Sequence, residues 1–256
     1  MPEAREILEG IGFRGGDIRY YDEVNSTMDV VRETSPGWNT TVVATTQTLG
    51  RGRFDRRWSS PTNGGLYLTT WIEHNRTPAG AANLSQGTAL ALALLCRELG
   101  IAQVRLKWPN DLLIAGRKCA GILAECYAGK HGTGIAVGVG INVDTPREVL
   151  AAVGQPATSL SQEAGHPLIA REVLLRFLAL WGEVDALLEA GGFAAIAPAY
   201  RSFSDLPGRV FGLSTGSAIE RVRVLGIEDD GSLLVEPEAG GPPQAVWGGE
   251  LVKVEA

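Results

Sequence analysis

Histidine and cysteine are scarce in this chain, each occurring three times in 256 residues. His74, His131 and His166 are scattered among turn-type neighbours with no acidic residue at ligand spacing, which disfavours a histidine-based metal centre. No GxSxG elbow occurs, so a serine hydrolase built on one is disfavoured too. Cys96, Cys119 and Cys126 are odd in number and form no CxxC pair. They argue against a disulfide framework or a zinc knuckle and fit a reducing cytoplasm. Positive charge is in deficit, with 23 Lys and Arg against 29 Asp and Glu and a formal net charge of −6. Such a chain has no global field for nucleic acid or an anionic membrane, so any anion site must be local. Long apolar runs are missing as well. The most apolar stretch, residues 89–96, is far short of the roughly 20 residues a bilayer needs. The first part of the chain carries Glu3, Arg5, Glu6, Glu9, Arg14, Asp17 and Arg19 and has no signal-peptide core. A soluble, cytoplasmic protein is expected, with its chemistry carried by Lys, Arg, Asp and backbone amides.

What is present is enough apolar residue, 45%, to bury a sizeable core. Residues 17–23 read as a strand that hands over to a helix capped by Ser26, with Asp29 at the third helical position. Residues 40–48 are rich in β-branched side chains and read as a strand, whereas 49–65, full of Gly, Arg, Pro and Asn, read as a long loop. Loops of that length are usually functional or disordered. A strand over 66–73 and an apolar helix over 81–99, stopped by Gly100, come next. Short strands over 104–108, 111–115 and 119–125 make a hairpin region, and the glycine-rich run 133–143 reads as a central strand. Helices are expected over 168–189 and 193–203. After Pro207-Gly208 the texture changes to five short strands, 209–212, 219–228, 232–236, 244–247 and 251–254, which spells a small β-barrel. The expectation is an α+β main domain over 1–206, a mixed sheet with packing helices, and an all-β domain over 207–256.

Four segments carry candidate chemistry. The first is the loop from Gln47 to Pro61, in which Arg51, Arg53, Arg56 and Arg57 fall among closely spaced glycines beside Trp58. Glycines let backbone N–H groups approach a ligand, arginines offer forked donors to carboxylate or phosphate, and an indole can cover a heterocycle. A solvated arginine loop or an RNA-contact patch would have the same composition. The second is Lys107-Trp108-Pro109-Asn110-Asp111, where proline holds a cation near two polar side chains, although Pro-Asn-Asp is also ordinary turn chemistry. The third, Arg117-Lys118 before Cys119-Ala120-Gly121-Ile122-Leu123, puts a cation at the mouth of a hairpin or simply in a solvent-facing turn. In the fourth, Gly138-Val139-Gly140-Ile141-Asn142-Val143, an amide interrupts an apolar strand and needs hydrogen-bond partners, a ligand being one candidate.

Taken together and in order, Ser26-Thr27, Gln47, the Gly50 to Trp58 loop, the Lys107 to Asp111 block, the Lys118 to Leu123 block and Gly140-Ile141-Asn142 resemble the signature blocks of biotin–protein ligases. The matched motifs run over about residues 17–145. The resemblance implies a class II aminoacyl-tRNA synthetase-like catalytic domain followed by an SH3-like β-barrel. It implies ATP-dependent formation of biotinyl-5'-AMP and transfer of biotin to a lysine of a biotin carboxyl carrier domain, with Mg²⁺ accompanying ATP. Residue by residue, Ser26, Thr27, Met28, Gln47, Gly50, Arg51 and Gly52 would surround biotin together with Arg53, Lys118 and Gly121. Arg53, Arg56, Trp58, Asn110, Lys118 and Asn142 would hold the nucleotide. Lys107, Arg53 and Lys118 would stabilise charge at the reacting atoms, and Asp111 is a candidate for touching the metal. Met28 stands where the family often has Asn, and Asp55 where it often has Gly. The chain resembles the form without an N-terminal DNA-binding module, so nucleic acid and membrane partners are not expected, and a monomer or homodimer is.

Two other classes compete. Lipoate–protein ligase shares the fold and the adenylation chemistry but would need a longer apolar channel, and the complete loop signature argues against it. A non-catalytic biotin- or nucleotide-binding module would be expected to lose Lys107 or the loop arginines, and this chain keeps both.

Overall fold

The computed structural model describes residues 16–54, 56–60, 64–73, 78–129, 132–215 and 218–254. The expected absence of an N-terminal module, the substitution at Asp55, and His74 and His131 lie outside the described residues.

Twelve strands among these residues form two sheets. The larger has the order β1-β2-β3-β7-β6-β5-β4. Its members are β1 (Ile18–Val24), β2 (Thr41–Gln47), β3 (Gly65–Glu73), β4 (Val104–Lys107), β5 (Asp111–Ile114), β6 (Arg117–Gly129) and β7 (Gly132–Asn142). Only β1 and β2 run parallel, joined through helix α1 (Thr27–Thr34); the remaining neighbours are antiparallel. The sheet is therefore mixed, as expected.

Its two faces differ because side chains alternate along each strand. Leu66, Leu68, Ile122, Val137, Val139 and Ile141 point into the main core against two long helices, α2 (Pro78–Glu98) and α5 (Ala170–Gly191). The opposite face carries a smaller cluster, Met28, Val31, Val42, Trp71 and Ala136, under α1. On that face glycine replaces bulk at Gly121, Gly138 and Gly140, and Gly121 lies directly across from Gly140 in the β6–β7 register.

Ser26 caps α1 as the sequence predicts, its Oγ accepting from Met28 N at 3.3 Å. Two short helices, α3 (Arg147–Ala151) and α4 (Leu160–Ala164), were not expected. The helix expected over 193–203 is split into a 3₁₀ turn (Phe193–Ala195) and α6 (Ala197–Ser202). Pro198 sits in the first turn of α6 and cannot donate to a preceding carbonyl, so the helix restarts there. Strand β6 is longer than expected, since its polar end stays paired with β7 out to Gly129.

The smaller sheet is antiparallel, with the order β11-β10-β9-β8-β12. It comprises β8 (Val210–Ser214), β9 (Ile219–Ile227), β10 (Leu233–Pro237), β11 (Gln244–Val246) and β12 (Glu250–Val252). Its apolar face, including Leu213, Val222, Val224, Leu233 and Val235, belongs to the same continuous core as α2 and α5. No helix among the described residues is long and apolar enough to cross a membrane.

Candidate active site

The glycine-bearing face, the start of α1, the arginine loop and the β4–β5 turn enclose one cleft with a cavity volume of about 130 Å³. Of the residues singled out in the sequence, Ser26, Thr27, Met28, Gln47, Arg51, Gly52, Arg53, Arg56, Trp58, Lys107, Asn110, Asp111, Lys118 and Gly121 all line it. Gly50 and Asn142 do not. A Cβ on Gly50 would stand 2.5 Å from the Trp58 carbonyl oxygen, so this glycine lets the loop fold back on itself. Asn142 Nδ2 donates to Thr158 O at 3.0 Å, and its amide needs no ligand to be satisfied.

One end of the cleft is neutral and polar. Gln47 Oε1 accepts from Thr27 N at 2.9 Å and from Thr27 Oγ1 at 3.2 Å, while its Nε2 donates to Ser60 Oγ at 2.9 Å. Thr27 Oγ1 also lies 2.7 Å from Thr69 Oγ1. This network brings uncharged donors and acceptors from α1, β2, β3 and the loop to one place. Met28 adds a thioether: a Cβ on Gly138 would sit 2.8 Å from its Sδ.

The other end is cationic. Arg53 bends back so that Nη1 donates to Asn110 Oδ1 at 3.1 Å, and Asn110 Nδ2 in turn donates to Ile122 O at 2.8 Å. Burial draws the Arg53 guanidinium below its ordinary pKa, with Asp111 and Glu250 working the other way. Arginine nonetheless stays a cation. Lys118 Nζ is 2.7 Å from Asp111 Oδ1 and 5.4 Å from the centre of the Trp58 ring. Lys107 stands at the end of β4, opposite Asp111 in the register, beside the cis Trp108–Pro109 peptide. Arg56 forks onto Glu250 of β12, Nη1 donating to Oε1 at 2.9 Å and Nη2 to Oε2.

Arg51 turns away from this group. Its guanidinium donates to Tyr127 OH and to Glu125 Oε1, both at 3.0 Å, and lies 3.6 Å from Asp29 Oδ1, tying the loop to β6 and α1. Between the two ends lies Trp58. A Cβ on Gly140 would come 2.5 Å from its indole, and one on Gly121 would come 2.8 Å from it. The ring therefore rests on a strip of bare backbone that only glycine can provide.

A metal site made wholly of protein is not evident. No group of three or more His, Cys, Asp or Glu side chains is suitably gathered among the described residues. Asp111, the residue singled out for a metal, is engaged by Lys118. Sequence reasoning missed Glu250 and Gln155, which also line the cleft. Neither sits in a motif, and Glu250 reaches Arg56 across 194 residues of chain.

Residues 20–142 match the model of the biotin/lipoate A/B protein ligase family. The chain is 32% identical to the bifunctional ligase/repressor BirA of Escherichia coli K12, over 93% of this chain and 76% of that protein. It is 33% identical to the biotin–[acetyl-CoA-carboxylase] ligase of Paracoccus denitrificans, over 78% of this chain and 85% of the relative. Among solved structures, the biotin protein ligase of Aquifex aeolicus in complex with biotin and ATP superimposes with a TM-score of 0.79 at 27% identity, covering 92% of this chain and 97% of that one. With its signature side chains gathered at one cleft and these relatives matched along most of its length, the chain belongs to the biotin/lipoate A/B protein ligase family, on its biotin–protein ligase branch.

Proposed function

We infer that the protein is an ATP-dependent, AMP-forming biotin–[acetyl-CoA-carboxylase] ligase. The observation that carries this reading is the division of one cleft into a neutral polar end and a cationic end, bridged by the Gly121–Gly140 strip under Trp58. An uncharged urea suits Thr27, Ser26, Gln47 and the backbone of Arg51, which bind without a net charge to balance. The biotin carboxylate would then point at Arg53, Lys107 and Lys118.

In the first half-reaction a carboxylate oxygen attacks the α-phosphorus of ATP, the bond to the β-phosphate bridging oxygen breaks, and pyrophosphate leaves. Charge gathers on the phosphoryl oxygens, and fixed cations offset it without reorganising during the step. In the second half-reaction a carrier lysine attacks the acyl carbon, AMP leaves and the amine gives up a proton. Trp58 would cover the nucleotide with Asn110 near it. Mg²⁺ enters as the counter-ion of ATP and is usually held by one or two carboxylates plus phosphate oxygens. Asp111 would have to exchange Lys118 for the metal to serve. The acceptor is the lysine of a biotin carboxyl carrier domain, the setting is the cytoplasm, and the assembly is a monomer or homodimer without nucleic acid or membrane. The domain division proposed is 1–206 for a synthetase-like catalytic domain and 207–256 for an SH3-like barrel.

The test is pyrophosphate release from ATP and Mg²⁺ with biotin, with lipoate and with neither. Release that depends on biotin, and is much slower with lipoate, is the expected result. Equal or faster release with lipoate would reject the biotin assignment.

A further inference from the structure

One carboxylate in the cleft comes from the smaller sheet. Glu250 opens β12, and its side chain is 24% exposed although it belongs to an edge strand. It occupies both donors of the Arg56 fork. The hydrogen bond from Arg56 pulls its carboxyl below the ordinary carboxylate value, and the charges of Lys107 and Arg53 add to that. The smaller sheet is also seated by a second contact. Gly231, in the β9–β10 turn, accepts from Gln86 Nε2 at 2.7 Å and from Trp108 Nε1 at 3.4 Å, next to Lys107.

The face formed by the two terminal nitrogens of a guanidinium donates in parallel to one carboxylate or to one phosphate at a time, although three further N–H donors remain. Glu250 therefore fills the face that a polyphosphate must take to be gripped by both terminal nitrogens of Arg56, and the two anions would repel each other. We propose that Glu250 is a displaceable counter-anion: it holds the Arg56 fork and pins the arginine loop to the smaller sheet while the nucleotide site is empty, and it is expelled by the arriving triphosphate. This rests on the ligase reading. Glu250 then acts as a positioning residue. It keeps clustered cations from splaying the empty loop, at the cost of weaker polyphosphate binding than those cations would give alone.

The test separates this proposal from the ligase reading. Biotin-dependent pyrophosphate release by the unaltered protein addresses the ligase reading by itself. Calorimetric binding of inorganic pyrophosphate with Mg²⁺ then addresses Glu250, since it requires no turnover. Glu250→Gln keeps the shape and removes the charge, and it should bind pyrophosphate roughly fivefold more tightly, the upper range for a partly exposed ion pair. In turnover the KM for ATP should fall while kcat changes little. Glu238→Gln, which breaks ion pairs with Arg221 and Arg223 in the same sheet, should match the unaltered protein. In an Arg56→Ala background, Glu250→Gln should tighten binding less than it does with Arg56 present, because only the repulsion between the two anions is then relieved. Unchanged binding by Glu250→Gln would overturn the proposal, and weaker binding would overturn it in favour of Glu250 as a metal ligand.

Discussion

At the scale of single residues, the site depends on side chains that contribute little to the core. Lys107 is half-buried at a strand end and faces the cleft. Lys107→Ala should leave the fold intact and lower adenylation on the order of 10²-fold, as loss of one electrostatic donor to a transition state does elsewhere. Single-turnover pyrophosphate release alongside thermal unfolding checks both halves, and an unchanged rate would remove Lys107 from the mechanism. Gly140 makes the converse point, because what matters is the side chain it lacks. In Gly140→Ala the new methyl meets the Trp58 indole at 2.5 Å, so the ring must lift off the strand. Keeping the ring seated against the methyl would cost about 1–3 kcal/mol, which the loop avoids by moving away. We expect weaker nucleotide binding by about tenfold or more and a shifted tryptophan emission, with little change in unfolding temperature because the ring belongs to a loop. Native emission and an unaltered KM for ATP would mean the strip does not seat Trp58.

At the scale of elements, the arginine loop is the part that has to move and then hold. A mixed anhydride must be kept from water and stray amines until the carrier arrives. Ordering a glycine-rich loop costs about 1–2 kcal/mol per residue, which contacts made on closing must offset. Three ties are visible. Arg51 joins the loop to β6 and α1, Arg53 joins it to Asn110 in the β4–β5 turn, and Arg56 joins it to β12. Of these, the Arg53 tie lies nearest the Lys107 and Lys118 blocks. Arg53→Gly should still consume ATP and biotin yet release the adenylate, so that bystander proteins become biotinylated while the unaltered protein labels mainly its carrier. Blotting a mixture of carrier and an unrelated lysine-rich protein reads this directly. No bystander labelling, together with unchanged retention of the adenylate, would show that Arg53 is not a latch.

At the scale of the whole molecule, the two sheets are coupled through their shared core and through the turn at Gly231. That residue has φ +91°, and a Cβ there would lie 2.5 Å from both Asn83 Oδ1 and Gln86 Oε1. Gly231→Ala should destabilise the fold by about 1–3 kcal/mol through strain and crowding. It should also slow adenylation at temperatures where the protein remains folded, because Trp108, which donates to Gly231 O, adjoins Lys107. Denaturant midpoints and initial rates measured on the same samples check the pair. A lowered midpoint with an unaltered rate would show that seating the smaller sheet does not position the strand end.

Much of this was legible in the chain itself, because the signals were local. Ser26 before Asp29 marked a helix start, β-branched runs marked β2 and β7, and the glycine–arginine loop with the Lys107 to Asp111 block marked the site. Each depends on residues within a few positions of one another, where backbone sterics and capping decide the outcome. The split of 193–203 was legible in principle from Pro198, whereas the extent of β6 depended on pairing with β7. What only the tertiary structure decided is how distant segments share the cleft. Gly121 faces Gly140 because of strand register, Asn142 turns to Thr158 and away from the cleft, and Glu250 meets Arg56 from another sheet. Local sequence cannot specify such meetings, since they follow from the packing of two sheets around one core, and a charge at the end of the chain carries no local mark of the arginine it will face.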